Sequence, residues 1–273
     1  MPVREHPRRP LRSVFSRTVR EQRRSWIGWV VGIVSFCLMM LSIYPTIRGN
    51  TAISKLIENY PAALRKIFHV ADYTTSAGYL RAEVFSFIAP LLLALFAVFL
   101  GSDLIAGEEE RQTIDLLLST PVTRRRVMVE KWLALVMGTT LLGVVLALVI
   151  GVVGPLFHLH VGWVPLLAEV TGTVLFALFC GSLALGLGAA TGSKGVARGG
   201  ALAIMVAMYL VSALAQIVTA LSSINSFSMW YHSLGLDPLG TGFHPLHLVI
   251  VVVVTVAVLI ASTIRFESRD LAT

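Results

Sequence analysis

Six stretches of the chain are apolar on every side and long enough to cross a bilayer. They run roughly over residues 26–44 (WIGWVVGIVSFCLMMLSIY), 84–105, 132–156, 166–190, 200–221 and 246–264. A hydrocarbon core takes about 20 such residues in a helix. Lipid offers the backbone no hydrogen-bond partners, so runs of this kind fold as helices. The pattern predicts an all-α polytopic membrane protein with six transmembrane helices. Pro90 sits inside the second run and predicts a kink there. No run repeats another clearly enough to argue an internal duplication.

Between the runs the pattern turns amphipathic in three places. The long loop 45–83 carries Ile53, Leu56, Ile57, Tyr60, Leu64, Ile67 and Phe68 at spacings of three and four, with Lys55, Glu58, Arg65 and Lys66 among them. It reads as a helix along the outer membrane surface, or as a lid packed on the bundle. In residues 11–24, Leu11, Val14, Phe15 and Val19 oppose a face of arginines. This predicts an interfacial helix held by anionic lipid ahead of the first span, with a flexible basic tail as the alternative.

The third place lies between the second and third runs. Glu108, Glu109 and Glu110 open a helix, where carboxylates complement the exposed N–H groups. Ile114, Leu117 and Leu118 follow as an apolar stripe. Thr120 can cap the next helix, with Pro121 at its first position. Arg124, Arg125 and Arg126 then fall at the lipid headgroups. A short helix with an acidic start and one apolar face suits docking into a groove on a soluble partner. An ordinary charged loop would account for the arginines alone.

Charge sets the orientation. The N-terminal segment, the 106–131 loop, the 191–199 loop and the tail together hold 17 lysines and arginines, and the opposite side holds 5. The bias predicts both termini in the cytoplasm of a multi-pass protein of the cell membrane. Only 14% of residues are charged, against about 25% in soluble domains. The net charge of +7 therefore reads as topology, with no nucleic-acid partner. The first run is too long for the core of a signal peptide, and no A-x-A site follows it. Cys37 and Cys180 lie inside apolar runs and read as small buried hydrophobes. The domain reading is a single membrane domain over 1–273, with a basic segment at 1–24, six helices within 25–264 and a tail at 265–273.

The 108–124 segment resembles the signature of ABC-2-type permeases, the type V ABC exporters. There a glutamate pair, G-T-L, L-L and T-P-V-x-R follow the second span. Glu109, Glu110, Thr113, Leu117, Leu118, Thr120, Pro121, Val122 and Arg124 match it. Gln112 stands where the family commonly has glycine, and Ile114 replaces leucine. The stretch from Met229 and the tail ending Arg269-Asp270 are also similar to the family, so the resemblance spans the chain. It implies a permease subunit driven by a separate ABC ATPase, paired with a second permease half. On this chain it implies a coupling segment of Glu108, Glu109, Glu110, Arg111, Thr113, Ile114, Leu117, Leu118 and Pro121. No G-x-x-x-x-G-K-[ST] P-loop occurs. The chain is then not itself an enzyme and carries no cofactor, and ATP and Mg belong to the partner.

Weaker signals remain. His158/His160 and His244/His247 have spacings that metal sites use, against a bland reading as interfacial histidines. No metal site is assigned. Glu169 and Asp103 are ionisable groups near span ends. Gly28/Gly32 and Gly188/Gly192 have the GxxxG spacing of close helix contacts. The apolar, aromatic-rich spans favour a hydrophobic or amphipathic cargo. An energy-independent carrier or scaffold, or a permease linked to metal handling, are the competing readings.

Overall fold

The computed structural model describes residues 14–61, 72–111 and 123–269. The main helices are α1 (Val14–Ile47), α2 (Thr51–Glu58), α3 (Ser76–Leu104), α4 (Ala106–Glu110), α5 (Arg124–Phe157), α6 (Trp163–Thr191), α7 (Lys194–Leu214) and α8 (Pro245–Ser268). Six of these, all but α2 and α4, are long and apolar enough to cross a membrane. No strand occurs among the described residues. The six predicted spans are present, and most begin earlier than the apolar runs do. The first turns of α1 and α5 are rich in arginine, which favours helix without requiring an apolar site.

The bundle is built around α6. In its apolar window 72% of residues are buried, against 22% in α1, 22% in α7 and 17% in α8. A span with apolar residues all round must be covered on all sides, and here α3, α5, α7 and α8 all pack on it. A close backbone approach joins α3 and α6. A Cβ on Gly101 would lie 2.2 Å from the Gly181 carbonyl oxygen, so the two backbones meet where neither has a side chain. This close contact falls outside both GxxxG pairs. Gly188 does pack, 3.3 Å from the Ala106 methyl for an added Cβ, but Gly28 and Gly32 face open space.

Three local expectations change. Residues 14–24 form no separate interfacial helix, because α1 runs unbroken through them into the first span. No glycine or proline interrupts this stretch, and its first turn packs inward. Val14 meets Val127, and the Phe15 N–H donates to Glu130 Oε2 at 2.9 Å. In the long loop after the first span, α2 covers only eight residues. Asn50 caps it, accepting from Ala52 N at 3.0 Å. Ile57 is buried while Leu56 and Tyr60 are exposed, and Leu64, Ile67 and Phe68 lie outside the described residues. In α3 the irregularity precedes Pro90. Leu80–Phe85 is a π-helical turn, and Phe87 breaks the helix with φ −154° and ψ −51°. Pro90 supplies no N–H and its ring crowds the carbonyl of residue 86, which accounts for a break at that place.

At the end of the bundle away from the arginine-rich helix starts, the chain between α7 and α8 folds back in short turns. Trp230 packs edge-on to Phe176 and Tyr209 at centroid distances of 5.0 and 4.9 Å. Glu169, 4% exposed, accepts the Leu239 N–H at 2.8 Å, and Arg81 pairs with Asp237 at 2.6 Å. Glu169 thus anchors the turn before α8. His232 Nδ1 lies 2.8 Å from His247 Nδ1, so the fold pairs His247 with His232. His160 Nδ1 contacts the His158 carbonyl at 3.1 Å. Among the described residues no group of three or more His, Cys, Asp or Glu is placed to hold a metal ion.

Candidate coupling site

At the basic end of the bundle α3 stops at Leu104, and the short helix α4 turns off it after Ile105. Each of its three glutamates is engaged by a cation from a different part of the chain. Glu108 pairs with Lys131 of α5 at 2.7 Å. Lys131 is 1% exposed and also donates to the Leu104 carbonyl. Glu109 takes a two-pronged contact from Arg269, just past α8, at 2.6 and 3.2 Å. Such a fork fixes both direction and distance. Glu110 accepts the Lys194 backbone N–H at 2.9 Å and faces its ammonium at 3.3 Å, at the start of α7.

A second layer completes the hub. Arg269 donates to the Ala189 carbonyl at 3.0 Å, which brings in the end of α6. Arg124 donates to the carbonyls of Phe266 and Arg269 at 3.1 and 2.7 Å and lies over the Phe266 ring at 5.8 Å. The headgroup role expected for Arg124 is therefore replaced by a clamp between α5 and α8. Asp103 accepts from Gln22 of α1 and Arg111, both at 3.1 Å, and faces Lys194 at 3.5 Å. The helix start is capped by Thr123, whose hydroxyl accepts the Arg126 N–H at 3.3 Å. Thr120 was expected to serve there, but it lies outside the described residues.

Of the predicted coupling residues, Glu108, Glu109, Glu110 and Arg111 are described and converge on this hub. Thr113, Ile114, Leu117, Leu118 and Pro121 lie outside the described residues. Lys131, Lys194 and Arg269 were legible in the sequence only as topological charges. Nothing in their spacing showed that each pairs with a glutamate.

Two predictions arise here. Gly192 ends α6 with φ +70°, and a Cβ there would sit 2.5 Å from an Arg269 guanidinium nitrogen and 2.8 Å from Glu109 Oε2. Gly192→Ala is expected to lower stability by about 1–2 kcal/mol from backbone strain alone, read as a lower melting temperature in detergent. The second concerns pH. The Lys194 backbone N–H and ammonium hold the Glu110 carboxyl below its ordinary range. A carboxyl lowered on folding stabilises the fold above its unfolded value and loses that contribution as pH falls through the folded one. The melting temperature is expected to fall with acidification below about pH 4, and less steeply in Glu110→Gln, the unfolded reference being about 4.3.

A bundle of six helices able to cross a membrane, with a short helix clamped between them at its basic end and a buried central helix, defines a polytopic membrane protein. The chain matches the ABC-2 family transporter proteins over residues 12–271, and it belongs to that family. It is an ABC transporter permease. Comparison with curated proteins returns no match.

Proposed function

We propose that this chain is the permease subunit of an ATP-driven exporter in the cytoplasmic membrane, and that the segment from Glu108 to Pro121 couples it to a separate ABC ATPase. The observation that carries the reading is the convergence of α5, α6, α7 and α8 on α4. A partner that pulls on this one short helix acts on four other elements at once. Ile114, Leu117 and Leu118 are the apolar contacts to the ATPase groove in this proposal. Glu108, Glu109 and Glu110 fasten the segment to the spans, because their carboxylates are already paired within the chain. The working unit holds two permease halves and two ATPase subunits, with ATP and Mg on the latter. Both termini lie in the cytoplasm, as the charge bias supports.

The test is reconstitution with the ATPase that co-purifies from the native host. Stimulation of ATP hydrolysis by the permease, lost when Leu117 and Leu118 are changed to Asp, is the expected result. Purification with no ATPase under any nucleotide condition overturns the reading. Cysteines placed at positions 4 and 270 should resist labelling from outside intact cells. Labelling of either reverses the topology.

A further inference from the structure

The end of the bundle opposite α4 holds a cavity of about 150 Å³. Its walls come from the π-helical turn of α3, from α6, from the end of α7 and from the chain that folds back before α8. A preformed space of about 150 Å³ takes a compact molecule of roughly the size of benzene. These walls are tied together. Ser212 of α7 donates to Asn225 Oδ1 at 2.7 Å, and Ser228 donates to the Met208 carbonyl at 3.1 Å. Arg81 of α3 pairs with Asp237 at 2.6 Å, which fixes the third side.

Glu169 of α6 sets the chemistry. It is almost wholly buried and lines this cavity. Its Oε2 accepts the Leu239 N–H at 2.8 Å. Its Oε1 has no hydrogen-bond partner among the described residues, and no lysine, arginine or histidine there stands at ion-pair distance from it. The Arg81 guanidinium in the same cavity is already taken by Asp237. Two carboxylates therefore share one cation, and the ionised site is short of one positive charge. Burying a carboxylate without a counter-ion is costly, and a cation that reaches it removes much of that cost. Phe85, Trp230 and Tyr231 line the same space, and aromatic rings attract an organic cation. A metal ion is poorly served, since no group of three or more ligating side chains occurs among the described residues. A bare proton would neutralise Glu169 without using the aromatic walls.

We propose that this cavity binds a small organic ammonium ion, with its N–H groups on Glu169 Oε1 and its hydrocarbon part against Phe85, Trp230 and Tyr231. Gln216 lines the cavity from an exposed position and marks its mouth. The proposal concerns the chain alone and holds whether or not an ATPase drives it.

Equilibrium binding of radiolabelled n-butylammonium to the full chain, purified in a non-ionic detergent at neutral pH, tests the site. Saturable binding is expected, displaced by unlabelled n-butylammonium and left in place by butyrate, butan-1-ol and Na⁺ at equal concentration. Glu169→Gln retains an acceptor for the Leu239 N–H and removes the charge. It is expected to weaken binding about thirtyfold, the low end for truncating one partner of a buried charge pair. Gln216→Lys places a like charge at the mouth from an exposed position. It is expected to weaken binding several-fold at low salt, by a margin that shrinks as salt is raised. This second variant carries the test if the first fails to fold. No saturable binding by the native chain, displacement by butyrate or Na⁺ as effective as by n-butylammonium, or unchanged affinity in either folded variant overturns the site.

Discussion

Lys131→Met is expected to leave little folded chain in the membrane. The lysine is enclosed among α3, α4 and α5, with Glu108 at 2.7 Å. Removing one member of a buried ion pair strands the other charge, at a cost of about 3–5 kcal/mol. That is a large fraction of the about 5–15 kcal/mol by which typical domains are stable. The double variant Lys131→Met with Glu108→Gln removes both charges and is expected to recover most of the loss. Monodisperse yield after mild solubilisation measures both. A single variant as stable as the native chain refutes the burial of this pair.

The second large effect separates two roles for the acidic segment. Glu109→Lys sets a lysine against Arg269, and Arg269→Glu sets two carboxylates together. Each is expected to abolish coupled ATP hydrolysis, because each places like charges where side-chain exposures are 13% and 17%. The exchange Glu109→Arg with Arg269→Glu restores the pair with its sign reversed and is expected to recover coupling in part. If Glu109 instead met a basic residue of the ATPase, the exchange would rescue nothing, since the partner would still face an arginine. Reconstituted ATPase activity, measured beside membrane insertion, decides between the two.

Much of the architecture was legible because lipid imposes a simple rule. Apolar runs about 20 residues long had to be helices, and six were found. The starts of α1 and α5 were misplaced because hydropathy records where lipid begins, while a helix continues as far as its backbone allows. Residues 14–24 look interfacial by charge, yet Val14 and Thr18 are buried against neighbouring helices. The acidic segment was found by motif and charge. Its partners were not, because Lys131, Lys194 and Arg269 lie 23, 84 and 160 residues from Glu108, Glu110 and Glu109 and no local pattern links them. Arg124 had the same weakness, since a cation at a span end reads alike whether it faces lipid or the carbonyls of Phe266 and Arg269. The open faces of Gly28 and Gly32 emerged only from the packing.

The unbroken length of α1 has a mechanical consequence. At its C-terminal end Tyr44 contacts Ser76 at 3.0 Å and the Tyr79 hydroxyl donates to the Met40 carbonyl at 2.8 Å, so α1 is pinned there to α3. At its other end Phe15 is pinned to Glu130 of α5. The helix is a rod about 50 Å long that packs along α5, with a further tie to α3 at the tyrosine end. When α5 tilts against α3, the rod pivots about the tyrosine pair, and about 5° of rotation moves its basic end by about 4 Å. The space between α1 and α3 widens or narrows like the jaws of pliers, with the Tyr44–Tyr79 contact as the rivet.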